Sequence, residues 1–488
     1  MTKNKKRKNS NQQQHALFHA IQREKHTLQT TTAAADSRIE SVVVSEDELR
    51  ITLRVLNIYL LDSDQLSSLH AKDLRRALHP LVLRQLATYN DPLDYLKRVT
   101  LALQHSKWSD AQAALQGARD YQQIPKQGTV QRWVRDVDGA GPCKMKLLSA
   151  ILRLSPGIWS TTSTTSSALT DTDTPIDNQQ DVGHIVAKHV AAGEELTILQ
   201  GWAAPNRQKD EIHIPTDPAT PLSLPLTIAS TIVYREDSAD RTPPNHYDLL
   251  LHTTTPGYMI YTNNPPAILK LNIPFVPGGI FLDGVLTSWE CQQLIHATSL
   301  LGFCPDHPLS ADKPTGIDSC EWFVDDSIRM ELFRRVRPHL PSTLQLPQQQ
   351  HDQPIRVILH QLNARFRCFR YAQDCVYRPH IDGSWPESRL DSNGMYDCDS
   401  NGGGGAQYAK SYLTFLLYLN DNFEGGETRF YMPTDVGGMM ARGVVPKQGS
   451  VLVFPQGNTS SLIHEGSAVT SGTKYVIRTD VLYQQEKE

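Results

Sequence analysis

Three side chains in the C-terminal part of the chain can bind one metal ion together: His380, Asp382 and His464. His380 and Asp382 are two residues apart in a segment of extended character. Side chains alternate in direction along such a segment, so both point to the same side. A later histidine, His464, can complete a set of three ligands on one face of a metal ion. We therefore take these three residues as candidate metal ligands.

The types of these ligands indicate which metal chemistry is expected. Two imidazoles and one carboxylate, with the other coordination positions left open, form the facial arrangement that non-haem Fe(II) oxygenases use. The chain contains 18 histidines, so a His-x-Asp pair alone is weak evidence. The assignment of a metal site therefore depends on the residues around the pair.

A lysine follows at a suggestive distance, since Lys474 lies ten residues after His464 on a strand predicted at 473–483. Lys474, Arg478 and Asp480 share one face of that strand. A cation that points into a protein interior is costly to bury without an anion. A dicarboxylate cosubstrate would supply that anion through charge-assisted hydrogen bonds. Arg478 is the alternative anchor, and a surface ion pair with Asp480 is the plainer interpretation.

Tyr371 lies on a strand predicted just before the His-x-Asp pair. Its hydroxyl could donate to the same carboxylate, although simple core packing is an equal alternative. Trp385, which follows the ligands closely, could line a substrate pocket or cap the core. An acidic and glycine-rich insertion between Asp382 and Ser411 is either a loop that selects the substrate or a plain surface loop.

The C-terminal region is predicted to be rich in short strands separated by turn residues, which favours a sandwich or barrel. The predicted strands are 355–362, 366–372, 411–419, 427–432, 449–454 and 473–483. One helix is predicted to begin at Thr287 or Ser288, with Glu290 in its first turn. A second helix is predicted from Ser327 to Val336, before a proline.

The rest of the chain divides by composition into segments of different character. We predict a mixed α and β protein with a disordered basic and polar tail at 1–38, a helical domain at 40–159, a Ser/Thr-rich linker at 160–182, a β-rich accessory region at 183–275 and a C-terminal domain at 278–488.

In the helical domain, helical periodicity is predicted for Leu74–Leu86 and for a helix capped by Ser109 or Asp110. A basic and aromatic stretch also lies there, with its apolar residues on one helical face. That pattern favours core packing over a partner-binding surface. The residues are Val130, Trp133, Val134 and Val137.

Composition excludes several classes of protein. The 488 residues have a net charge of −4 and a pI near 6.5, which gives no case for a nucleic-acid partner or an anionic membrane. No stretch is long and apolar enough to span a bilayer, and the N-terminus has no apolar signal region. Seven cysteines without Cys-x-x-Cys spacing favour a reducing compartment, which predicts an intracellular protein of the cytoplasm or nucleus.

The segment from about 286 to 483 resembles the 2-oxoglutarate- and Fe(II)-dependent dioxygenases, and within them the prolyl 4-hydroxylase-like group. The resemblance covers about two fifths of the chain, and no family is named for the part before about 280. The matching segments are 369–371, 377–382, 413–421, 424–430, 446–449, 464–466 and 472–475.

The resemblance implies a double-stranded β-helix, or jelly roll, with Fe(II) held by the candidate ligands. It also implies that 2-oxoglutarate and O2 are cosubstrates, and that the far carboxylate of 2-oxoglutarate pairs with Lys474. The expected reaction hydroxylates a protein side chain or a small molecule and releases succinate and CO2, with ascorbate keeping the iron reduced. Two alternatives remain open at this point: a catalytically silent jelly-roll binding module, and a cupin-like metal protein that does not use 2-oxoglutarate.

Overall fold

The computed structural model describes scattered positions between 45 and 55, and then residues 94–154, 196–205, 224, 227–241, 244–308, 316–346, 355–398, 409–433, 438–457 and 462–485. The predicted tail at 1–38, the linker at 160–182 and the helical run Leu74–Leu86 lie outside these residues.

The described residues between 94 and 485 form six α-helices, 3₁₀ helices at Val137–Cys143 and Arg337–His339, and 21 short or medium strands. The helices are α1 (Tyr95–Gln104), α2 (Trp108–Asp120), α3 (Gln127–Asp136), α4 (Lys144–Leu152), α5 (Ser288–Leu301) and α6 (Asp326–Val336). The strands are β1 (Leu196–Trp202), β2 (Ser230–Glu236), β3 (Leu249–Thr254), β4 (Leu269–Asn272), β5 (Ile280–Asp283), β6 (Cys304–Pro305), β7 (Ile317–Phe323), β8 (Thr343–Leu346), β9 (Ile355–Leu362), β10 (Arg365–Tyr371), β11 (Tyr377–His380), β12 (Arg389–Leu390), β13 (Tyr396–Asp397), β14 (Lys410–Tyr418), β15 (Glu424–Gly425), β16 (Thr428–Pro433), β17 (Met439–Val444), β18 (Val451–Pro455), β19 (Ile463–Gly466), β20 (Val469–Ser471) and β21 (Lys474–Gln485).

Two sheets contain most of these strands. The smaller sheet has the order β1-β17-β16-β19-β11, with β1 parallel to β17 and the other pairs antiparallel. The larger sheet follows the path β2-β3-β7-β10-β21-β14-β18-β5-β4, with β6 beside β7 and with β8 and β9 joined through β21. The accessory segment therefore contributes to both sheets: β1 joins the smaller sheet, and β2, β3 and β4 join the larger one.

The two sheets pack face to face around a shared apolar layer. Alternate residues of the smaller sheet, such as Phe430 and Met440, contact residues of the larger sheet such as Phe369 and Phe454. A second apolar cluster lies on the far side of the larger sheet, where it includes Leu294 of α5. This alternation follows from the two-residue period of strands, and it leaves the edge of the apolar layer free for polar side chains.

Helices α1 to α4 pack on the other face of the smaller sheet. Their apolar residues form one cluster with Tyr431, Met439, Ala441 and Ile463 of that sheet. The prediction of core packing for the basic and aromatic stretch is confirmed for each of its four apolar residues. Val130, Trp133, Val134 and Val137 are all buried. The predicted cap of α2 is wrong, because its N-cap is Lys107 and no side chain caps it.

Helix α5 begins with the predicted capping box. The Thr287 hydroxyl accepts from the Glu290 backbone amide, and the Glu290 carboxylate accepts from the Thr287 amide. The same carboxylate receives both Nη groups of Arg335 from α6, each at 2.8 Å. No helix in the described part of the chain has the length and hydropathy needed to cross a membrane.

Candidate metal centre

The smaller sheet brings the three candidate ligands together. His380 ends β11, His464 lies on β19, and the two are direct partners in the antiparallel register. Asp382 follows two residues after His380. One ligand atom from each of these three residues lies within 4.8 Å of the others. The pairing of neighbouring strands therefore accounts for the meeting of residues that are far apart in sequence.

Both imidazole rings are oriented by the same local contact. Nδ1 of His380 lies 2.8 Å from the carbonyl oxygen of Arg378, and Nδ1 of His464 lies 3.1 Å from that of Leu462. A carbonyl oxygen can only accept, so Nδ1 carries the proton in each ring. In the neutral ring Nε2 then has a free lone pair for a metal ion, and a hydrogen bond from Nδ1 to a carbonyl is the usual second contact of a metal-binding histidine.

The Nε2 atoms both face the carboxylate of Asp382. His380 Nε2 lies 3.5 Å from Oδ1, and His464 Nε2 lies 3.5 Å from Oδ2. Burial lowers the pKa of His464 to about 3, so this ring is neutral at physiological pH. Burial alone would raise the pKa of Asp382, but Arg478, His464 and His380 together hold it well below its usual value. Neutral imidazoles and an ionised carboxylate are a donor set that fits Fe(II).

Aromatic rings enclose the two imidazoles. The Tyr377 ring centre lies 4.6 Å from that of His380, and the Phe454 ring centre lies 4.8 Å from that of His464. Phe430 contacts His464 from a third direction at 5.7 Å. This packing limits the rotation of both rings, so the ligand positions are held by the apolar layer.

Two contacts to Asp382 were not predicted from the sequence. The Thr414 hydroxyl donates to Oδ2 at 2.7 Å, and Nη2 of Arg478 lies 3.2 Å from Oδ1. Gln456 connects this cluster to Asp480, because its Nε2 donates to Oδ1 of Asp480 at 2.9 Å. The sequence signal for Thr414 is a polar residue within the apolar run Leu413–Leu417.

Lys474 is a buried cation without an anionic partner among the described residues. Its side chain is 2% exposed, and Nζ donates to the Gly426 carbonyl at 2.7 Å. The rings of Tyr371 and Tyr418 lie 5.1 and 5.6 Å from Nζ. Burial lowers the pKa of Lys474 to about 7. A carboxylate that reached this ammonium would remove most of the cost of its burial.

Tyr371 and Arg478, the other predicted cosubstrate contacts, differ in position. Tyr371 is the register partner of Lys474, and burial keeps its pKa well above the usual value, so its hydroxyl remains a donor. Arg478 lies four residues further along β21, where it contacts the carboxylates of Asp382 and Asp480. Arg478 is therefore already paired, whereas Lys474 is not.

The insertion after Asp382 begins at the exposed side of the centre. Trp385 is 45% exposed and its ring lies 5.9 Å from the Arg365 guanidinium, so it does not cap the core. Strands β12 and β13 form a small hairpin within the insertion. Residues 399–408, with the predicted glycine run, lie outside the described residues.

A comparison with protein-family models matches residues 366–479 to a family described as the 2OG-Fe(II) oxygenase superfamily. This segment covers less than half of the chain and contains all three candidate ligands and Lys474. No curated protein matches the chain in sequence.

Solved structures similar to the chain cover about two fifths of it. A viral collagen prolyl hydroxylase from Paramecium Bursaria Chlorella virus-1, in complex with 2OG, is 18% identical over 43% of this chain and 97% of its own, with a TM-score of 0.26. A Pseudomonas putida prolyl-4-hydroxylase is 14% identical over 43% of this chain and 94% of its own, with a TM-score of 0.24. HygX from Streptomyces hygroscopicus, with nickel, 2-oxoglutarate and hygromycin B bound, is 15% identical over 43% of this chain and 83% of its own, with a TM-score of 0.25.

The family match and the strand-rich fold agree with the resemblance found in the sequence. Residues 366–479 match the 2OG-Fe(II) oxygenase superfamily, and this match supports a 2-oxoglutarate-dependent dioxygenase.

Proposed function

We propose that His380, Asp382 and His464 bind Fe(II) at the edge of the apolar layer, within a jelly-roll domain. The single observation that carries this proposal is the convergence of their ligand atoms within 4.8 Å. The Nδ1 contacts of both rings support it, because they leave each Nε2 free to coordinate. The domain boundaries given above remain predictions.

We further propose that Lys474, rather than Arg478, binds the far carboxylate of 2-oxoglutarate. Lys474 is buried and lacks a carboxylate partner among the described residues, whereas Arg478 contacts Asp382 and Asp480. The Tyr371 hydroxyl is the second donor proposed for the same carboxylate. The rings of Tyr371 and Tyr418 exclude water from this end of the pocket, which strengthens the charge pairing.

The proposed reaction is the hydroxylation of a protein side chain, of the prolyl type, or of a small molecule. Bound Fe(II) with 2-oxoglutarate and O2 supplies the oxidising chemistry, with succinate and CO2 as coproducts. The chain supplies the rest: ligands of fixed tautomer, an ammonium that orients the cosubstrate, and aromatic walls that keep water out. Dependence on ascorbate is expected from the resemblance alone.

The test is the formation of succinate from 2-oxoglutarate by purified protein with Fe(II) and no added substrate. Wild type is expected to release succinate slowly, since uncoupled turnover needs only the metal and the cosubstrate. His380→Ala and Asp382→Ala are expected to abolish it, because each removes one of three metal ligands. Succinate is measured by mass spectrometry.

His339→Ala is the matched control, because His339 lies in the 3₁₀ helix Arg337–His339 and, among the described residues, does not contact the candidate ligands. It should release succinate as wild type does. Equal succinate release by wild type and both ligand variants would contradict the proposal. Absence of succinate from the wild type would favour the silent binding module or the cupin-like metal protein.

A further inference from the structure

Two arginines stand opposite each other beside the candidate metal centre. Arg367 on β10 and Arg478 on β21 are direct register partners in the larger sheet. Directly opposed residues of an antiparallel pair project to the same face, with their Cβ atoms about 5 Å apart. This is the face that also carries Tyr371 and Lys474, so both guanidiniums lie on the side of the sheet that holds the metal centre.

Arg367 shares its carboxylate partner with a second arginine. Nε of Arg367 lies 2.7 Å from Oε1 of Glu321, and Nε of Arg365 lies 2.9 Å from Oε2. One carboxylate therefore serves two guanidiniums through their Nε atoms. Among the described residues, the Nη groups of Arg367 have no hydrogen-bond partner, and its side chain is 26% exposed. These donors are open to a ligand.

Arg478 is also incompletely satisfied. Its Nε atom is buried and has no partner among the described residues. Its Nη2 atom lies 3.2 Å from Oδ1 of Asp382 and 3.5 Å from Oδ1 of Asp480. Asp382 would share its negative charge with a metal ion, and Asp480 is also held by Gln456. Arg478 therefore keeps an unused donor, although its charge is already paired.

The unused donors of the two neighbouring guanidiniums can be satisfied by an acceptor that lies between them. We propose that Arg367 and Arg478 form a subsite for a carboxylate of the substrate, so that the molecule oxidised here is an acid. This inference rests on the proposed function, since the far carboxylate of 2-oxoglutarate is assigned to Lys474. The planar fork of a guanidinium fits a carboxylate in a bidentate manner. The target C–H bond then lies close to the acid group.

The test measures the binding of propionate and uses propionamide, its uncharged amide analogue, as the control. The full-length protein is loaded with Mn(II) and saturating 2-oxoglutarate without oxygen, so that no turnover occurs. Mn(II) relaxes the methyl protons of a probe that binds close to the metal, and this relaxation is measured by NMR. Propionate is expected to be relaxed in a saturable manner, and propionamide is not.

Variants then assign the binding to the arginines. Arg367→Met is expected to weaken propionate binding by about tenfold or more, because it removes the open donors. Arg370→Met is the matched control: Arg370 lies on the opposite face of β10, where it pairs with Asp318 at 2.6 Å. It should bind propionate as wild type does. Arg367→Gln is the second variant in case Arg367→Met does not fold.

The outcomes are distinct. Equal relaxation of propionate and propionamide, no relaxation of propionate in the wild type, or unchanged binding by a folded Arg367 variant would each overturn the subsite. If Mn(II) and 2-oxoglutarate bind and propionate does not, the subsite alone fails. If the wild type does not bind Mn(II), as measured by water proton relaxation, both the proposed function and the subsite are overturned. The comparison of the two probes on wild type does not depend on the folding of any variant.

Discussion

At the scale of single residues, the two cations on β21 have different electrostatic surroundings. Arg478 contacts two carboxylates, whereas Lys474 contacts a backbone carbonyl and two aromatic rings. A buried ammonium without an anion lowers the stability of a fold. Such a residue is most readily explained by a ligand that supplies the missing charge, which is the role proposed for 2-oxoglutarate.

The protonation state of Lys474 predicts a pH dependence of cosubstrate binding. Burial lowers its pKa to about 7 in the free protein, and a bound carboxylate would raise that pKa. Below pH 7 the ammonium is already charged, so the dissociation constant of 2-oxoglutarate should be lowest there. Above pH 7 binding requires proton uptake, and the constant should rise by up to about tenfold per pH unit. Calorimetry with Mn(II)-loaded protein measures it.

Lys474→Arg is the control for this prediction, because a guanidinium stays charged over the whole range. Any binding that this variant retains should be independent of pH. His464 does not titrate in this range, since burial lowers its pKa to about 3. A dissociation constant of the wild type that stays flat from pH 6 to 9 would contradict the assignment of Lys474.

The candidate ligands could be chosen from the sequence by their residue types and spacing, but the contacts of these residues could not be predicted. His380 ends β11 and Asp382 lies two residues beyond it, so their common direction was expected from the two-residue period of an extended segment. The contacts of Asp382 with Thr414 and Arg478 join three different strands, and strand register is not visible in a single sequence. The choice between Lys474 and Arg478 depends on the same register, and so it stayed open.

At the scale of elements, α5 and α6 are joined through one carboxylate. Glu290 is fully buried, closes the capping box of α5 and forms two hydrogen bonds with Arg335 of α6. Its Oε1 also accepts from the Thr262 amide at 3.0 Å. The capping role was predicted from the spacing to Thr287, whereas the pairing with Arg335 needs the fold.

Removal of this carboxylate should destabilise the protein strongly. Glu290→Ala removes the fully buried carboxylate partner of Arg335 and leaves only the more exposed Glu331 to pair with that guanidinium, and loss of one partner of a buried ion pair costs about 3–5 kcal/mol. Urea unfolding followed by circular dichroism measures the change in the free energy of unfolding.

Asp326→Ala is the matched control for Glu290→Ala. It removes a pair with Arg329 in the first turn of α6, where the Asp326 side chain is 74% exposed. An exposed pair of this kind contributes less than about 1 kcal/mol. Similar losses of stability in the two variants would show that the buried pair has no special weight.

The prediction of individual elements succeeded where the sequence period was regular. The predicted strand 355–362 has the observed bounds of β9, and the helix predicted from Ser327 differs from α6 by one residue at its start. The mixed α and β class is confirmed. The cap of α2 was wrong because Ser109 and Asp110 lie inside the helix, which begins at Trp108 without a side-chain cap.

At the scale of the whole described molecule, the helices and the accessory strands complete the two sheets. Strand β11, which carries His380, pairs with β19 on one side and is an edge of the smaller sheet. Helix α3 contacts β11, and Arg378 pairs with Asp138 at 2.6 Å in the following 3₁₀ helix. Natural proteins often cover an edge strand in this way, which prevents pairing with other chains.

A fragment of residues 278–488 alone should therefore aggregate and unfold at a lower temperature than the full chain. It lacks β1 to β4 and the helices that cover Tyr431 and Ile463, so it exposes strand edges and an apolar sheet face. Light scattering and thermal unfolding measure both effects. The matched control is a fragment of residues 94–488, which keeps the helices and all four strands and should remain monodisperse.

A monodisperse 278–488 fragment with an unchanged unfolding temperature would contradict this prediction. Helices before residue 155 and β-rich character at 183–275 could be predicted from the sequence, because local periodicity indicates each of them. It could not predict that these segments join the sheets of the C-terminal part, because the parallel pairing of β1 with β17 joins residues about 240 positions apart.

The strand below Lys474 is held from both sides, since β21 pairs with β10 at Lys474–Arg478 and with β14 at Val476–Tyr483. This double pairing holds the backbone of β21 in place, and with it the span between Lys474 and the candidate metal ligands. In the proposed reaction this span sets the length of the diacid that can bind. A five-carbon diacid bound at both ends would lose its C1 as CO2, so its four-carbon product would keep one metal-binding group instead of two and would leave more easily while the sheet stays still.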